Sequence, residues 1–346
     1  MSTNCALVVR VANGQQPALS RETIAIPTPG PNQVLVKISH VAQNPTDIQS
    51  FDGNAFGDGA VLGCDFVGEV VELGSQVTRL AKGEIIAGLI WGGEVPGLGA
   101  YSQYCVADDK ISFRVPRSVS PDKASTVPLA AATAWLALFS KKCLGINRGK
   151  AKGTSILIWG GSSSVGQYSI QLASLYGIKV VTTCSPKHFG LARSFGAQHV
   201  FDYKDKDVIK NIQKAEPNIS HAFDTIGNST SSTSASLVFG SRGGQLCTVR
   251  PGKANTENVV PGTNVTDVLV WTVFFKDHSY GEYKWPASQE DHELGIELFH
   301  KLPAWLEDKT LKPNELRILK GLDAVPEGFQ EYRDGKISAY KIVYEL

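Results

Sequence analysis

The chain has no long block of one charge sign, no C-x-x-C pair and no G-x-S-x-G turn, and no apolar run approaches the roughly 18 residues of a membrane span. Each absence removes a class of protein. Interleaved charges and a formal net charge of +1 exclude a nucleic-acid or membrane surface built on bulk electrostatics. The opening "MSTNCALVVRVANGQQ" has no basic segment leading into a sustained apolar core, so no signal peptide is expected. Cys5, Cys64, Cys105, Cys143, Cys184 and Cys247 are scattered and read as buried free thiols of a reducing compartment, hence a soluble, cytosolic protein. Without a nucleophile elbow, and with His199 and His221 opening β-rich runs and His292 and His300 on a surface-type helix, Ser/His/Asp hydrolysis is excluded.

Zinc is poorly provided for. "NPTDIQSFDG" contains neither Cys nor His, and "GCDFVG" offers Cys64 and Asp65 without a His. Between residues 87 and 117 only Cys105 occurs, so neither a catalytic set of three ligands nor a four-cysteine structural site is at hand. No metal is expected.

What is present suits two domains, or one large core with a satellite: 346 residues, 42% hydrophobic and 19% charged. Up to about residue 117, short β-rich runs such as "QVLVKISHVA", "VLGCDFVGEVVELG" and "EIIAGLI" alternate with Gly, Pro and Asn, which predicts a barrel-like β unit. "SPDKASTVPLAAATAWLALFSKKCLG" predicts one helix opened by Ser120 and Pro121 and buried on nearly every face. From Thr154 the pattern becomes strand then helix, repeated, which predicts a parallel sheet with helices on both faces. Then comes an amphipathic helix interrupted near Pro303. The end reads as helix, Gly turn and a strand that rejoins the first domain. "VTDVLVWTVFF" suits either a dimer edge strand or part of a substrate wall.

The stretch "ILIWGGSSSVGQYSIQLA" carries the first functional signal. Gly160 and Gly161 directly follow a strand, and Gly166 falls in the first turn of a helix. This is the usual place for the phosphates of a dinucleotide, although no complete G-x-G-x-x-G is present. Gly160 is expected to turn sharply and Gly166 to let helix and strand approach. Ser162, Ser163 and Ser164 offer amides and hydroxyls to a pyrophosphate; the alternative is a plain strand–turn–helix with N-capping serines. The next strand ends "TTCSPKHF", lacking the acid that accepts from a ribose 2′-hydroxyl. Ser185 and Lys187, with Tyr203 after the third strand, suit a 2′-phosphate, which points to NADPH. With no metal and no acid in view, the chemistry is expected to be hydride transfer by the cofactor.

"VLVKISHVAQNPTDIQSFDG", "LGCDFVGEVVELGSQVTRLAKGE", "SQYCVADDKI" and "VPLAAATAWLAL" resemble the zinc-free branch of the medium-chain dehydrogenases/reductases, in the family's order and over nearly the whole chain. "GGSSSVG", "TTCSPKHF", "VFDY" and "EYKWP" most resemble fungal trans-acting enoyl reductases of the lovastatin type, which partner polyketide synthases whose own reductase domain is inactive. The resemblance implies an α/β protein: a GroES-like domain of residues 1–125 and 277–346 around a Rossmann NADPH-binding domain of residues 126–276. Substrate and nicotinamide would meet between them.

It implies that Gly160, Gly161, Ser162, Ser163, Ser164, Val165 and Gly166 hold the pyrophosphate. Ser185, Pro186, Lys187, His188 and Tyr203 would surround the adenosine phosphate. Thr46, Asp47, Ile48, Gln49, Val249, Arg250, Ile337 and Ser338 would line the nicotinamide end. Pro128, Ala131, Ala132, Thr133, Trp135, Thr272, Val273, Phe274, Phe275 and Lys276 would border the substrate, unless Trp135 and the aromatic cluster are plain core. One departure stands out. Gln49 occupies the place of a lysine in these reductases; it donates hydrogen bonds but neither neutralises an enolate nor supplies a proton. The proton would then come from solvent or Tyr101, or the reaction differs.

The implied function is reduction of an α,β-unsaturated polyketide thioester, with a synthase or its acyl carrier domain as partner and a monomer or homodimer as working unit. Two rivals stay open: a stand-alone reductase of quinones or enals, and a cofactor-binding protein with a cyclase-like or supporting role.

Overall fold

The computed structural model describes residues 3–12, 15–280 and 282–346. The chain packs as two compact units, one of residues 1–129 and 299–346, the other of residues 130–298. The expected joins were 125/126 and 276/277.

The first unit begins with the antiparallel pair β1 (Asn4–Arg10) and β2 (Ala18–Ile24). β3 (Gln33–Ala42), helix α1 (Pro45–Asp52), β4 (Asp65–Leu73), β5 (Ile85–Leu89), β6 (Tyr104–Asp108) and β7 (Ser112–Arg114) follow. β3 is the hub: its first half pairs with β6, its whole length with β4, and its end with the last strand of the chain. The core beneath gathers Val34, Val36, Phe66, Val70, Ile86 and Tyr101.

The helix expected from Ser120 onward is two helices, α2 (Pro121–Ser125) and α3 (Pro128–Phe139). Pro128 supplies no N–H and disfavours helix in the residue before it, so the first helix stops and a second begins on the proline. The first free amide of that new start, Leu129 N, donates to Asp65 Oδ1 at 2.7 Å.

In the second unit strands and helices alternate as the sequence predicts. β8 (Ser155–Trp159), α4 (Ser164–Leu175), β9 (Lys179–Cys184), α5 (Phe189–Ser194), β10 (His199–Asp202) and α6 (Val208–Ala215) come first. β11 (His221–Asp224), α7 (Ser231–Ser236), β12 (Gly244–Thr248) and β13 (Thr263–Asp267) complete a six-stranded parallel sheet. Its order, β10-β9-β8-β11-β12-β13, is the doubly wound order 3-2-1-4-5-6. β8 is buried throughout, as a central strand covered on both faces must be. β13 is the sheet's edge and a 3₁₀ turn, Val270–Val273, follows it.

A hairpin of β14 (His278–Tyr280) and β15 (Tyr283–Trp285) leads to α8 (Gln289–Glu307), which continues through Pro303 instead of breaking there. Leu298, Phe299, Leu302 and Leu306 recur at helical spacing and are all buried, and this stripe outweighs the one backbone bond that a proline removes. β16 (Glu315–Lys320), α9 (Val325–Arg333) and β17 (Tyr340–Glu345) end the chain, with β17 between β16 and β3, so the last strand does rejoin the first unit.

Candidate functional site

The second unit gathers its candidate residues at the carboxyl ends of β8, β9 and β10, the end at which open α/β sheets take ligands. Gly160 turns the chain out of β8 with φ +93°, and a Cβ there would lie 2.5 Å from the Ile226 side chain. Gly161 N donates to Thr183 O on β9 at 2.8 Å. At Gly166 a Cβ would sit 2.2 Å from Gly160 O, so the helix start lies against the strand end only because that side chain is absent.

Between them, Ser163 is committed inward. Its hydroxyl accepts from Gly166 N at 2.9 Å and meets the Thr225 hydroxyl at 2.8 Å. Thr225, missed by the sequence reading, holds this turn to the end of β11 and donates to Trp159 O at 2.9 Å. N-capping is thus Ser163's function, while Ser162, Ser164 and Val165 stand half-exposed at the helix start, where the first amides face outward.

β9 and β10 pair so that Cys184 and Asp202 are register partners, which brings the residues after each, Ser185 and Tyr203, to the same end of the sheet. Ser185 opens the 3₁₀ turn Pro186–His188. Lys187 and Tyr203 are exposed, and Lys204 Nζ lies 5.7 Å from the centre of the Tyr203 ring. Burial and the adjacent Lys187 ammonium lower the His188 pKa, which favours the neutral ring. Val249 and Arg250 follow β12; Arg250 Nε donates to Gly227 O at 2.7 Å, tying this side chain to the loop after β11.

The substrate-bordering expectation needs correction for α3. Ala131, Ala132 and Trp135 are fully buried and present no surface to a ligand. Trp135 Nε1 donates to Leu294 O at 2.9 Å, its ring meets Phe139 edge-on at 4.7 Å, and the Arg148 guanidinium lies 4.9 Å over it. It is core. Thr133, Thr272 and Val273 are buried too, as is Pro128 in the first unit. Phe274 is half-exposed, Lys276 exposed, and Phe275 stacks on His292 while remaining 56% exposed.

In the first unit, helix α1 divides residues 46–49 between two faces. Thr46 and Gln49, three apart, are half-exposed; Asp47 and Ile48 point into the core, so the cofactor contacts expected of them have no open surface. Asp47 closes the helix start by accepting from Asn44 N at 2.8 Å. It also accepts from the Cys64 thiol and the Tyr101 hydroxyl, each at 3.2 Å. Burial, reinforced by nearby Asp65, pushes the Asp47 carboxyl up to about 6, against the pull of these donors. Tyr101 is sealed in, with its hydroxyl turned to Asp47, which removes it as a proton donor to a bound substrate. Ile337 and Ser338 are half-exposed ahead of β17.

Beside Asp47 lies a second buried acid, which the sequence reading weighed only as a metal ligand. Asp65 Oδ2 accepts from Lys341 Nζ at 2.6 Å and Asn44 Nδ2 at 2.9 Å. The Asn-x-x-Asp spacing of residues 44–47 is an N-terminal capping signal and could have been read; Lys341, from the far end of the chain, gave none. Gln49 Nε2 donates to another residue that was missed, Tyr332, at 3.0 Å.

Two family models match: the alcohol dehydrogenase GroES-like domain over residues 30–117 and the zinc-binding dehydrogenase model over residues 164–281. A trans-enoyl reductase of Alternaria alternata, ACTTS2, is 30% identical over all of both chains. A zinc-type alcohol dehydrogenase-like protein of Schizosaccharomyces pombe is 29% identical over 97% of this chain and 99% of its own. The crystal structure of an alcohol dehydrogenase superfamily protein from Novosphingobium aromaticivorans superposes over the full length of both chains with a TM-score of 0.77 at 23% identity, a likeness of fold.

The zinc in those descriptions finds no fitting donor set here. Among the described residues no three His, Cys, Asp or Glu side chains converge to hold a metal ion. Where Cys64 and Asp65 come together, burial keeps the thiol protonated and the Lys341 ammonium already serves the carboxylate.

Proposed function

Since the chain belongs to the medium-chain dehydrogenase/reductase superfamily, we propose that it is an NADPH-dependent, trans-acting enoyl reductase that saturates an α,β-unsaturated polyketide thioester in secondary-metabolite biosynthesis. The observation that carries this reading is the full-length relationship to a chain named as a trans-enoyl reductase. Its partner would be a polyketide synthase or the synthase's acyl carrier domain, met in the cytoplasm. Among the described residues no helix is long and apolar enough to cross a membrane.

The residues of the second unit fit a dinucleotide. The tight turn from Gly160 to Gly166, where a Cβ would collide with the Ile226 side chain or with Gly160 O, brings the helix start against the strand end and leaves the amides of Ser164 and Val165 for a pyrophosphate. Lys187, Ser185 and Tyr203 offer a cation and hydroxyls to a ribose phosphate, and no acid stands at the end of β9 to prefer a bare ribose. Bound there, NADPH supplies the hydride. The chain's own residues bind and orient, and Gln49 offers an amide N–H to the enolate oxygen. The roles of Thr46, Val249, Arg250, Ile337 and Ser338 toward the nicotinamide, and of Phe274, Phe275 and Lys276 toward the acyl chain, rest on the family resemblance. No step passes through a metal.

Nicotinamide absorbance tests this directly, with a short enoyl pantetheine thioester as substrate and NADH or a simple quinone in parallel. Oxidation of NADPH with the thioester, and little with NADH, is expected. Lys187→Ala should weaken NADPH binding about tenfold, as loss of one exposed charge-assisted contact does, and leave NADH unchanged. Turnover with the quinone alone would move the protein to a stand-alone reductase. NADPH binding without turnover on any substrate would leave a supporting role.

A further inference from the structure

Gln49 has no acidic proton, and Tyr101 is closed off in the core. Gln49 is nonetheless in contact with a group that does carry such a proton. Its Nε2 donates to the hydroxyl oxygen of Tyr332 at 3.0 Å. Tyr332 lies in the last turn of α9 and is half-buried, so it keeps an accessible edge.

Both partners are held. The Arg333 guanidinium pairs with Asp52 at the end of α1, with Nε to Oδ2 at 3.1 Å. It also lies 5.9 Å from the Phe51 ring and 6.0 Å from the Phe329 ring, and those rings meet edge-on at 5.7 Å. Phe329 is fully buried, so α1 and α9 are locked side by side and amide and phenol cannot part without opening that packing. With the Gln49 N–H on its oxygen, the Tyr332 hydroxyl keeps its own hydrogen to donate to another group.

We infer that Tyr332 delivers the proton in this reaction and that Gln49 positions its oxygen; this rests on the enoyl reductase reading. After hydride has reached the β-carbon, the enolate's electron pair forms the new C–H bond at the α-carbon as the Tyr332 O–H bond breaks. The O–H pair stays on the phenolate oxygen, where the Gln49 N–H receives it, and water restores the proton. One hydride and one proton are thus added across the C=C bond, the hydride with its electron pair being what a bound NADPH would supply. The Gln49–Tyr332 pair takes the place of a lysine, with the acid and the hydrogen-bond donor on two side chains.

The test is turnover of the enoyl pantetheine thioester in D₂O, with the position and face of deuterium read by NMR. The whole wild-type chain should place one deuterium on a single face of the α-carbon. Tyr332→Phe keeps the ring and its packing; kcat should fall about 100-fold, within the usual range for a general acid, with NADPH affinity within twofold and deuterium on both faces. Gln49→Ala should lower kcat about tenfold and keep single-face deuteration. Tyr332→Phe turning over within threefold of wild type, with single-face deuteration, overturns the assignment and leaves the enoyl reductase reading standing. A wild-type chain that binds NADPH and reduces no enoyl thioester overturns both.

Discussion

Asp65 and Asp224 are both fully buried, one in each unit, and they are served in different ways. Asp65 takes the Lys341 ammonium at 2.6 Å from the last strand of the chain, 276 residues away, and the amide of Leu129 at 2.7 Å. Asp224 pairs with no cation among the described residues. It accepts from the hydroxyls of Ser231 and Ser232 at 2.6 and 2.7 Å and from the amides of Ile226 and Gly227 at 3.0 and 3.1 Å, all within eight residues. The first arrangement closes a sheet across the length of the sequence; the second orders one loop. A buried carboxylate with a distant cation therefore reports tertiary closure, and one with near neutral donors reports a local turn. Asp47 is a third case, with neutral donors only and a carboxyl pushed up to about 6.

The largest effect that tests this contrast should follow removal of the cation. Lys341→Met leaves Asp65 charged, buried and without its ion pair, at a cost of about 3–5 kcal/mol in denaturant unfolding of the first unit. Asp65→Asn added to it should recover most of that loss, because no charge then remains to be compensated. If the single variant is as stable as wild type, the ion pair does not close the sheet.

Asp47 gives the next largest. The folded chain keeps its proton up to about pH 6, whereas the unfolded chain releases it near the ordinary value of 3.8. Between those limits the folded state binds more protons, so this group's contribution falls as pH rises from about 4 to 6 and is constant above. The span corresponds to about 3 kcal/mol. Asp47→Asn removes the titration: its stability relative to wild type should rise across that window by about this amount and then level off. A difference that does not change with pH would mean that Asp47 is ionised throughout.

Such contrasts explain what could be read in the sequence. The second unit was legible because each strand, turn and helix is contiguous, and Gly160 and Gly166 show their need for an absent Cβ through position alone. The return of β17 to the first unit followed from its apolar pattern and from chain ends lying close. Asp65–Lys341 and Gln49–Tyr332 join residues 276 and 283 apart, and no local periodicity encodes such a meeting. Trp135 and Tyr101 failed differently. Residue type revealed an aromatic ring or a hydroxyl, but not that Phe139 and Arg148 would enclose one, or that Asp47 would hold the other. Pro303 was misread because the rule that proline ends a helix is local, while the buried stripe that overrides it belongs to the core.

The smallest effect should come from the second unit, where the donors are redundant. Ser232→Ala removes one of two hydroxyls from Asp224 Oδ2 and leaves Ser231 on the same oxygen, with both amides still on Oδ1. The cost should be about 1.5 kcal/mol, the low end for a hydrogen bond to a charged group, because the carboxylate stays served. Ser231→Ala with Ser232→Ala should cost more than the two singles added, since Oδ2 then loses both hydroxyls at once. Hydrogen exchange at the amides of Ile226 and Gly227 locates the damage: it should quicken in the double variant while Leu129, on the Asp65 side, stays protected. If Ser232→Ala alone destabilises as much as Lys341→Met, local donors are no more forgiving than a distant cation, and the difference between the two carboxylates is one of position in the sequence rather than of energy.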